Sequence, residues 1–198
     1  MDFLQEWRDF LFPLAVFMGL FFFRYLAHFR KGKALKEVAP YINGEAVINL
    51  FSPPRIQGAY MGMPFQMSFL PMNRNSPGRL QLTMEFAFAF NLELSSKGRM
   101  PGIEHLFTRG KAIETGEETF DSFVQARAEK EYEKAVVYLD NPGNREAVLA
   151  IFQEGFELIQ ISEKGVILTK QGDFLDGLFT QEMALRALSL SSALMQRI

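Results

Sequence analysis

The chain has 198 residues, 48% of them hydrophobic, and 21 Lys or Arg against 23 Asp or Glu give a formal net charge of -2. That balance lacks the basic footprint of a general nucleic-acid binder, and a chain with no cysteine and two distant histidines makes a poor zinc protein. The length suits one domain with a substantial core behind a short N-terminal segment.

Residues 10–23 (FLFPLAVFMGLFFF) form a run of fourteen without a charge, six of them Phe. Arg24, Arg30, Lys31, Lys33 and Lys36 follow, with no acid among them. A bilayer core needs about 20 helical residues, so the run reaches that length only if Arg24 snorkels and Tyr25 and Leu26 sit at the interface. The spacing predicts a short transmembrane helix over roughly Phe10 to Leu26, with Pro13 in its first turn and Trp7 and Tyr25 near its ends. A cleaved signal peptide would need a basic start and a small-residue cleavage site. Asp2, Glu6 and Asp9 precede the run instead, and bulky residues follow it. A helix lying flat on a membrane would need a polar face, which 10–23 lacks. The five cations after the run put the C-terminal side in the cytoplasm by the positive-inside rule. The absence of cysteine agrees with that compartment, as it would with a disulfide-free periplasmic domain.

Residues 1–31 are therefore expected to be an anchor and 32–198 a single α+β domain. Lys33 to Val38 reads as a short helix ending before Pro40. Glu45 to Phe51 reads as a strand. Arg55 to Tyr60 and Met63 to Phe69 form a hairpin about Met61-Gly62, and Asn73 to Gly78 is a turn. From Leu80 to Leu94 every even position is apolar, which predicts one long strand with a buried face that must twist, bend or bulge. Residues 95–118 are irregular, with a helical turn at Ile103 to Phe107. Thr119 to Arg127 reads as strand and Glu131 to Leu139 as helix. Asn144 would cap a second helix ending at Gly155, and a hairpin about Glu163-Lys164-Gly165 follows. The last helix, about Thr180 to Arg197, presents Met183, Ala184, Ala187, Leu188, Ser191, Leu194, Met195 and Ile198 on one face, a stripe suited to covering the antiparallel sheet.

Ile56-x-Gly58-x-Tyr60-x-Gly62-x-Pro64, then Thr115-Gly116-Glu117-x-x-Phe120-Asp121-x-Phe123, then Leu139 with Arg145 leading an apolar helix, come in a recognisable order. This series resembles a loose set of uncharacterised bacterial single-pass membrane-anchored proteins of unknown function, over roughly Arg55 to the end. It departs at Glu129 to Glu133, where a tight acidic turn is expected. The resemblance implies a bacterial membrane-anchored domain and brings no catalytic residues; with the orientation set by the charges, the expected place is the bacterial inner membrane, amino terminus out.

No motif identifies a reaction. Glu104-His105 are adjacent and point apart on a short helix, and Gly58-x-x-x-Gly62 lacks the Lys-Ser/Thr of a phosphate loop. Glu114, Glu117, Glu118 and Asp121 match no calcium loop and read as a polar turn, with Asp121 capping local backbone. No cofactor and no metal is expected. Two functions fit: a membrane-tethered interaction or scaffold domain, with a protein partner or a second copy, and a lipid or amphipathic-ligand domain with a cavity between sheet and last helix. The residues expected to meet the lipid bilayer are Arg24, Arg30, Lys31, Lys33 and Lys36, joined by Lys97, Arg99, Arg109 and Lys111 about the apolar Ile103, Leu106 and Phe107. The alternative for that last group is an ordinary connecting loop.

Overall fold

The computed structural model describes residues 3–49, 52–70, 78–98, 110–172 and 179–195, with α1 side chains described only at 11–19, 22, 29 and from 32 onward. Helix α1 runs from Phe3 to Val38, roughly 54 Å at 1.5 Å per residue. The uncharged run and the juxtamembrane helix are thus one continuous element. Pro13 lies inside it and not in its first turn, removing one backbone hydrogen bond. The described side chains from Leu11 to Met18, with Phe22, are exposed. Among the described residues no helix is long and apolar enough to cross a membrane; the uncharged run itself is fourteen residues against the roughly 20 a bilayer core requires.

A 3-10 turn, Ala39–Ile42, follows, and Asn43 in the left-handed region turns the chain back. Nine strands then build one antiparallel sheet: β1 Gly44–Val47, β2 Arg55–Tyr60, β3 Met63–Leu70, β4 Arg79–Met84, β5 Asn91–Ser96, β6 Lys111–Ile113, β7 Val124–Lys130, β8 Leu158–Ser162 and β9 Gly165–Gln171. Their spatial order is β1-β2-β3-β4-β9-β8-β5-β7-β6. Helices α2 (Glu118–Phe123), α3 (Tyr132–Asp140), α4 (Pro142–Gln153) and α5 (Gln181–Met195) complete the α+β fold. The β2–β3 hairpin forms as expected, with positive φ at both Met61 and Gly62 and hence the twist of a type I′ turn.

The largest departure from the sequence pattern is at Leu80 to Leu94. This stretch is two strands, not one. β4 pairs with β9, β5 pairs with β8, and the β8–β9 hairpin stands between them. Residues 85–90 arch past the hairpin tip, and Phe88 N donates to Ser162 O. The passage is so close that a Cβ on Gly165 would lie 1.9 Å from Met84 O. The even face is nonetheless buried at Leu80, Leu82, Met84, Phe88, Phe90, Leu92 and Leu94, with Phe86 the exception at 36% exposure. Cross-strand rungs on the other face carry polar side chains: Gln57, Gln66 and Thr83, then Gln160, Glu93 and Arg127.

Smaller corrections have local causes. Thr119 to Phe123 is helix α2 and not strand, because Asp121 gathers the preceding turn as described below; the strand begins at Val124. Asn141, not Asn144, caps α4, its side chain accepting from Gly143 N ahead of Pro142 at the first helical positions. β1 is shorter than expected, and β6 lies in the stretch expected to be irregular. The turns expected at 73–78 and 103–107 lie outside the described residues, apart from Gly78.

One core joins these parts. Leu35, Val38, Ala39 and Ile42 from the end of α1 and the 3-10 turn belong to it, together with the sheet face and the buried sides of α3, α4 and α5. Thr180 stands just before helix α5, and its hydroxyl accepts from Met183 N at 3.2 Å. Of its expected stripe, Met183, Ala184, Ala187, Leu188, Ser191, Leu194 and Met195 are buried against β4, α4 and the 3-10 turn, and Ile198 lies outside the described residues.

Candidate ligand cleft and the corner beside it

Two neighbouring regions flank α3. The first is polar. Asp121 receives Thr115 N on both carboxylate oxygens at 3.1 and 3.0 Å, the Thr115 hydroxyl at 3.0 Å and Gly116 N at 2.9 Å. Its acceptor capacity is spent on the turn that starts α2. Four residues before it, Glu117 accepts from Arg145 Nε at 2.5 Å. Arg145 Nη1 also donates to Leu139 O at 2.6 Å and Asp140 O at 3.0 Å, satisfying carbonyls at the end of α3. Phe120 is fully buried, and Phe123 packs edge-on to Phe152. The Thr-Gly-acid-x-x-Phe-Asp-x-Phe residues and Leu139/Arg145, far apart in sequence, thus form one structural corner. Among the described residues no group of three or more Asp, Glu or His could hold a metal ion.

The second region is apolar. Residues 86–90 and the outer side of α3 bound an open cleft of about 660 Å³. Its floor is a chain of rings: Phe86 to Phe88 at 5.2 Å, Phe88 to Phe90 at 5.6 Å, and Phe90 to Tyr138 at 5.2 Å between centroids. Tyr138 is held in place because its hydroxyl donates to Leu194 O at 2.8 Å, tying α3 to the end of α5. Val137, at 69% exposure, forms the outer wall. Glu133, Lys134 and Asn141 make the rim polar on the α3 side. Asn144 also lines the cleft, is fully buried and donates to Tyr138 O at 2.8 Å, while its Oδ1 has no partner among the described residues.

Rings with an open apolar side can hold acyl chains or other flat apolar groups, and a polar rim can meet a headgroup. The cleft is not between the sheet and the last helix, where a cavity was expected. That interface is filled by Ala184, Ala187, Leu188 and Leu194. The sequence did contain a signal for the actual site. The odd positions of the alternating run are polar at Gln81, Thr83 and Glu85, but become Ala87 and Ala89 through the arch, so Phe86 to Phe90 has no polar face and does not fit a half-solvated strand.

A second, polar hollow of about 310 Å³ lies on the polar sheet face at Glu93, Arg127, Glu129, Gln160 and Ser162. Burial raises the Glu93 carboxyl above the usual range, with Glu129 adding to the rise; the 2.9 Å bond from Gln160 and the charge of Arg127 act against it.

The expected membrane-contact residues are spread widely. Lys33 and Lys36 are exposed on α1. Arg24, Arg30 and Lys31 lie in its helical backbone, their side chains outside the described residues, and Arg99 and Arg109 lie outside them altogether. Lys97 donates to Asp121 O, and Lys111 sits 4.1 Å above the Tyr132 ring. Both described loop cations thus touch the polar corner or α3.

No family model and no curated protein matches the chain. The fold is similar to the crystal structure of the mycobacterial trehalose monomycolate transport factor A, with a TM-score of 0.51 and 9% identity over 85% of this chain and 96% of that one. At that identity the likeness concerns the fold alone.

Proposed function

We propose that this chain is a membrane-anchored domain that binds a lipid or another amphipathic ligand in the cleft between Phe86–Phe90 and α3. The observation that carries the reading is an open apolar cleft whose exposed surface is Phe86 and Val137, backed by the nearly buried rings of Phe88, Phe90 and Tyr138, with Lys134 and Asn141 on the rim. Apolar area of this kind releases about 25 cal/mol for each Å² withdrawn from water, so an acyl chain laid along the rings gains affinity while its polar end stays at the rim. The fold shared with a protein named for trehalose monomycolate transport supports the same direction.

The anchor in this proposal is α1, spanning roughly from Phe10 to Leu26, shortened against the bilayer by local thinning. Its described side chains are apolar and exposed, a surface that lipid tails would cover. With five cations following the run, the domain would lie on the cytoplasmic side of a bacterial inner membrane.

A tethered interaction or scaffold role is the second reading. The same open cleft favours it, because an apolar partner helix could fill the space. The test is a titration of the delipidated full chain with a fluorescent acyl lipid, alongside Val137→Asp and Phe86→Ser. Saturable binding by the parent chain, weakened at least about tenfold in the variants (1.4 kcal/mol), supports the ligand reading. No binding by a correctly folded parent chain rejects it in favour of a protein partner.

A further inference from the structure

We infer that the end of the sheet carrying Arg55, Leu70 and Arg79 docks onto the headgroups of an anionic bilayer. The inference rests on α1 as the anchor and is independent of what fills the cleft.

The direction of α1 relative to the sheet identifies that end. After Val38 the chain turns through Ala39–Ile42 and comes back as β1. Gly32, six residues before Val38, stands against the side chain of Ile48, just past the end of β1. The last turns of α1 and strand β1 therefore run side by side in opposite directions. The rest of α1 leaves beyond the Ile48 end of the sheet. Val47 pairs with Arg55, Arg55 with Ser68, and Leu70 with Arg79, so these residues form the end from which α1 departs. The cleft lies at the other end, where residues 85–90 pass the tip of the β8–β9 hairpin.

Helix and strand rises give the depth. If the apolar span ends near Leu26, Gly32 and Ile48 stand about 9 Å beyond the hydrocarbon. The headgroup layer on each side is roughly 5–7 Å thick. Leu70 and Arg79 lie two residues past the Arg55–Ser68 rung, about 7 Å closer to the membrane at ~3.3 Å per residue. That brings Arg79 and Leu70 to headgroup depth and Arg55 within a side chain's reach of it.

The side chains have the matching chemistry. Arg55 and Arg79 share the polar face of the sheet, because Ser68 and Leu70 are alternate residues of one strand. Their rung partners are Val47, Ser68, Leu70 and Gln171, none of them acidic. The Nε of each arginine is buried without a partner among the described residues. An arginine with no acidic rung neighbour is suited to phosphate oxygens, which a guanidinium can meet in fork geometry. Leu70, 37% exposed between them, supplies an apolar contact at the depth where headgroups meet acyl chains. Docking would hold the cleft a strand length away from the bilayer, roughly 20–25 Å for the eight residues of β3.

The chain has no cysteine, so single reporters can be introduced cleanly. The full chain is reconstituted in phosphatidylcholine vesicles with and without phosphatidylglycerol, bearing an environment-sensitive label at Phe17→Cys, Leu70→Cys or Met61→Cys. Nitroxide lipids then act as quenchers. The Phe17 label should be quenched by acyl-chain nitroxide in both vesicles and the Met61 label by neither probe. The Leu70 label should be quenched by headgroup nitroxide when phosphatidylglycerol is present. Arg55→Gln with Arg79→Gln should reduce the docked population at least about fivefold, since one cation near an anionic surface is worth ~1 kcal/mol. Quenching at Phe17 but not at Leu70 overturns the docking and leaves the anchor standing. Absence of quenching at Phe17 overturns the anchor and the docking with it. Quenching at Leu70 that survives loss of both arginines overturns their assignment. If the Leu70 label disturbs folding, Gln171→Cys, on the Arg79 rung, reports the same depth.

Discussion

The corner at Arg145 and the cleft at Phe88 lie on neighbouring flanks of α3, yet they use their side chains in opposite ways. In the corner, Asp121, Thr115, Glu117 and Arg145 have the residue types and spacing of a chemical site, and their main donors and acceptors are taken up by one another and by nearby backbone. In the cleft, Phe88, Phe90 and Tyr138 have the look of ordinary core and are nearly buried, and yet with the exposed Phe86 and Val137 they line an open hollow. Polar residues that are mutually satisfied fix a structure, whereas apolar residues left open are available to a ligand. The candidate site therefore falls where the sequence looks least chemical.

The largest expected effect tests the apolar side. Phe88 is nearly buried beneath Phe86, Phe90 and Tyr138. Phe88→Ala should cost about 3–5 kcal/mol of unfolding free energy by denaturant titration, while Glu85→Ala, exposed at the start of the arch, should stay within about 0.5 kcal/mol. Similar costs at both positions would mean that the arch is not seated as described.

The corner comes next. Arg145→Ala removes an ion pair and two bonds to carbonyls, and Asp121→Asn replaces a fully engaged carboxylate. Each should destabilise by about 1.5–3 kcal/mol, the usual worth of hydrogen bonds to charged groups. Arg145→Lys should recover only part of the loss, since an ammonium cannot reproduce the guanidinium fork. A corner that tolerates all three substitutions would not be what holds α2 and α3 together.

The smallest effect is in the polar hollow. The Glu93 carboxyl is raised by burial, so the folded state binds a proton more readily than the unfolded chain does. Its effect on stability is neutral below the unfolded value, and stability is lost as pH rises through the window up to the raised folded value. Glu93→Gln should flatten that part of the profile and raise stability at neutral pH relative to the parent. A profile unchanged by the substitution would show that Glu93 is solvated in the folded protein.

Much of this architecture was legible because periodicity reports burial. The even positions of 80–94 and the stripe on α5 found their buried faces, and Met61-Gly62 found its hairpin. What periodicity could not report was strand partners. The same alternation continues whether the chain runs straight or arches around an inserted hairpin, and the insertion of β8–β9 between β4 and β5 depends on residues roughly 60 to 90 positions away. The Thr119 to Phe123 stretch was misread for a related reason. Its β-branched and aromatic residues favour a strand, but Asp121 closes the preceding turn and makes a helical turn the better solution. The cleft stayed hidden because a Phe-rich run ordinarily means core, and only Ala87 and Ala89 at positions due to be polar marked the difference.

Whether the Phe86–Phe90 arch and α3 hold an apolar ligand is decided by locating that ligand. A lipid with a photoactivatable group on its acyl chain is bound to the full chain, cross-linked, and its attachment sites mapped by peptide mass spectrometry. Labelled peptides should contain residues 86–90 and 133–141, with labelling lost in Val137→Asp. Labelling confined to α1, with the arch and α3 untouched, would contradict a ligand in the cleft.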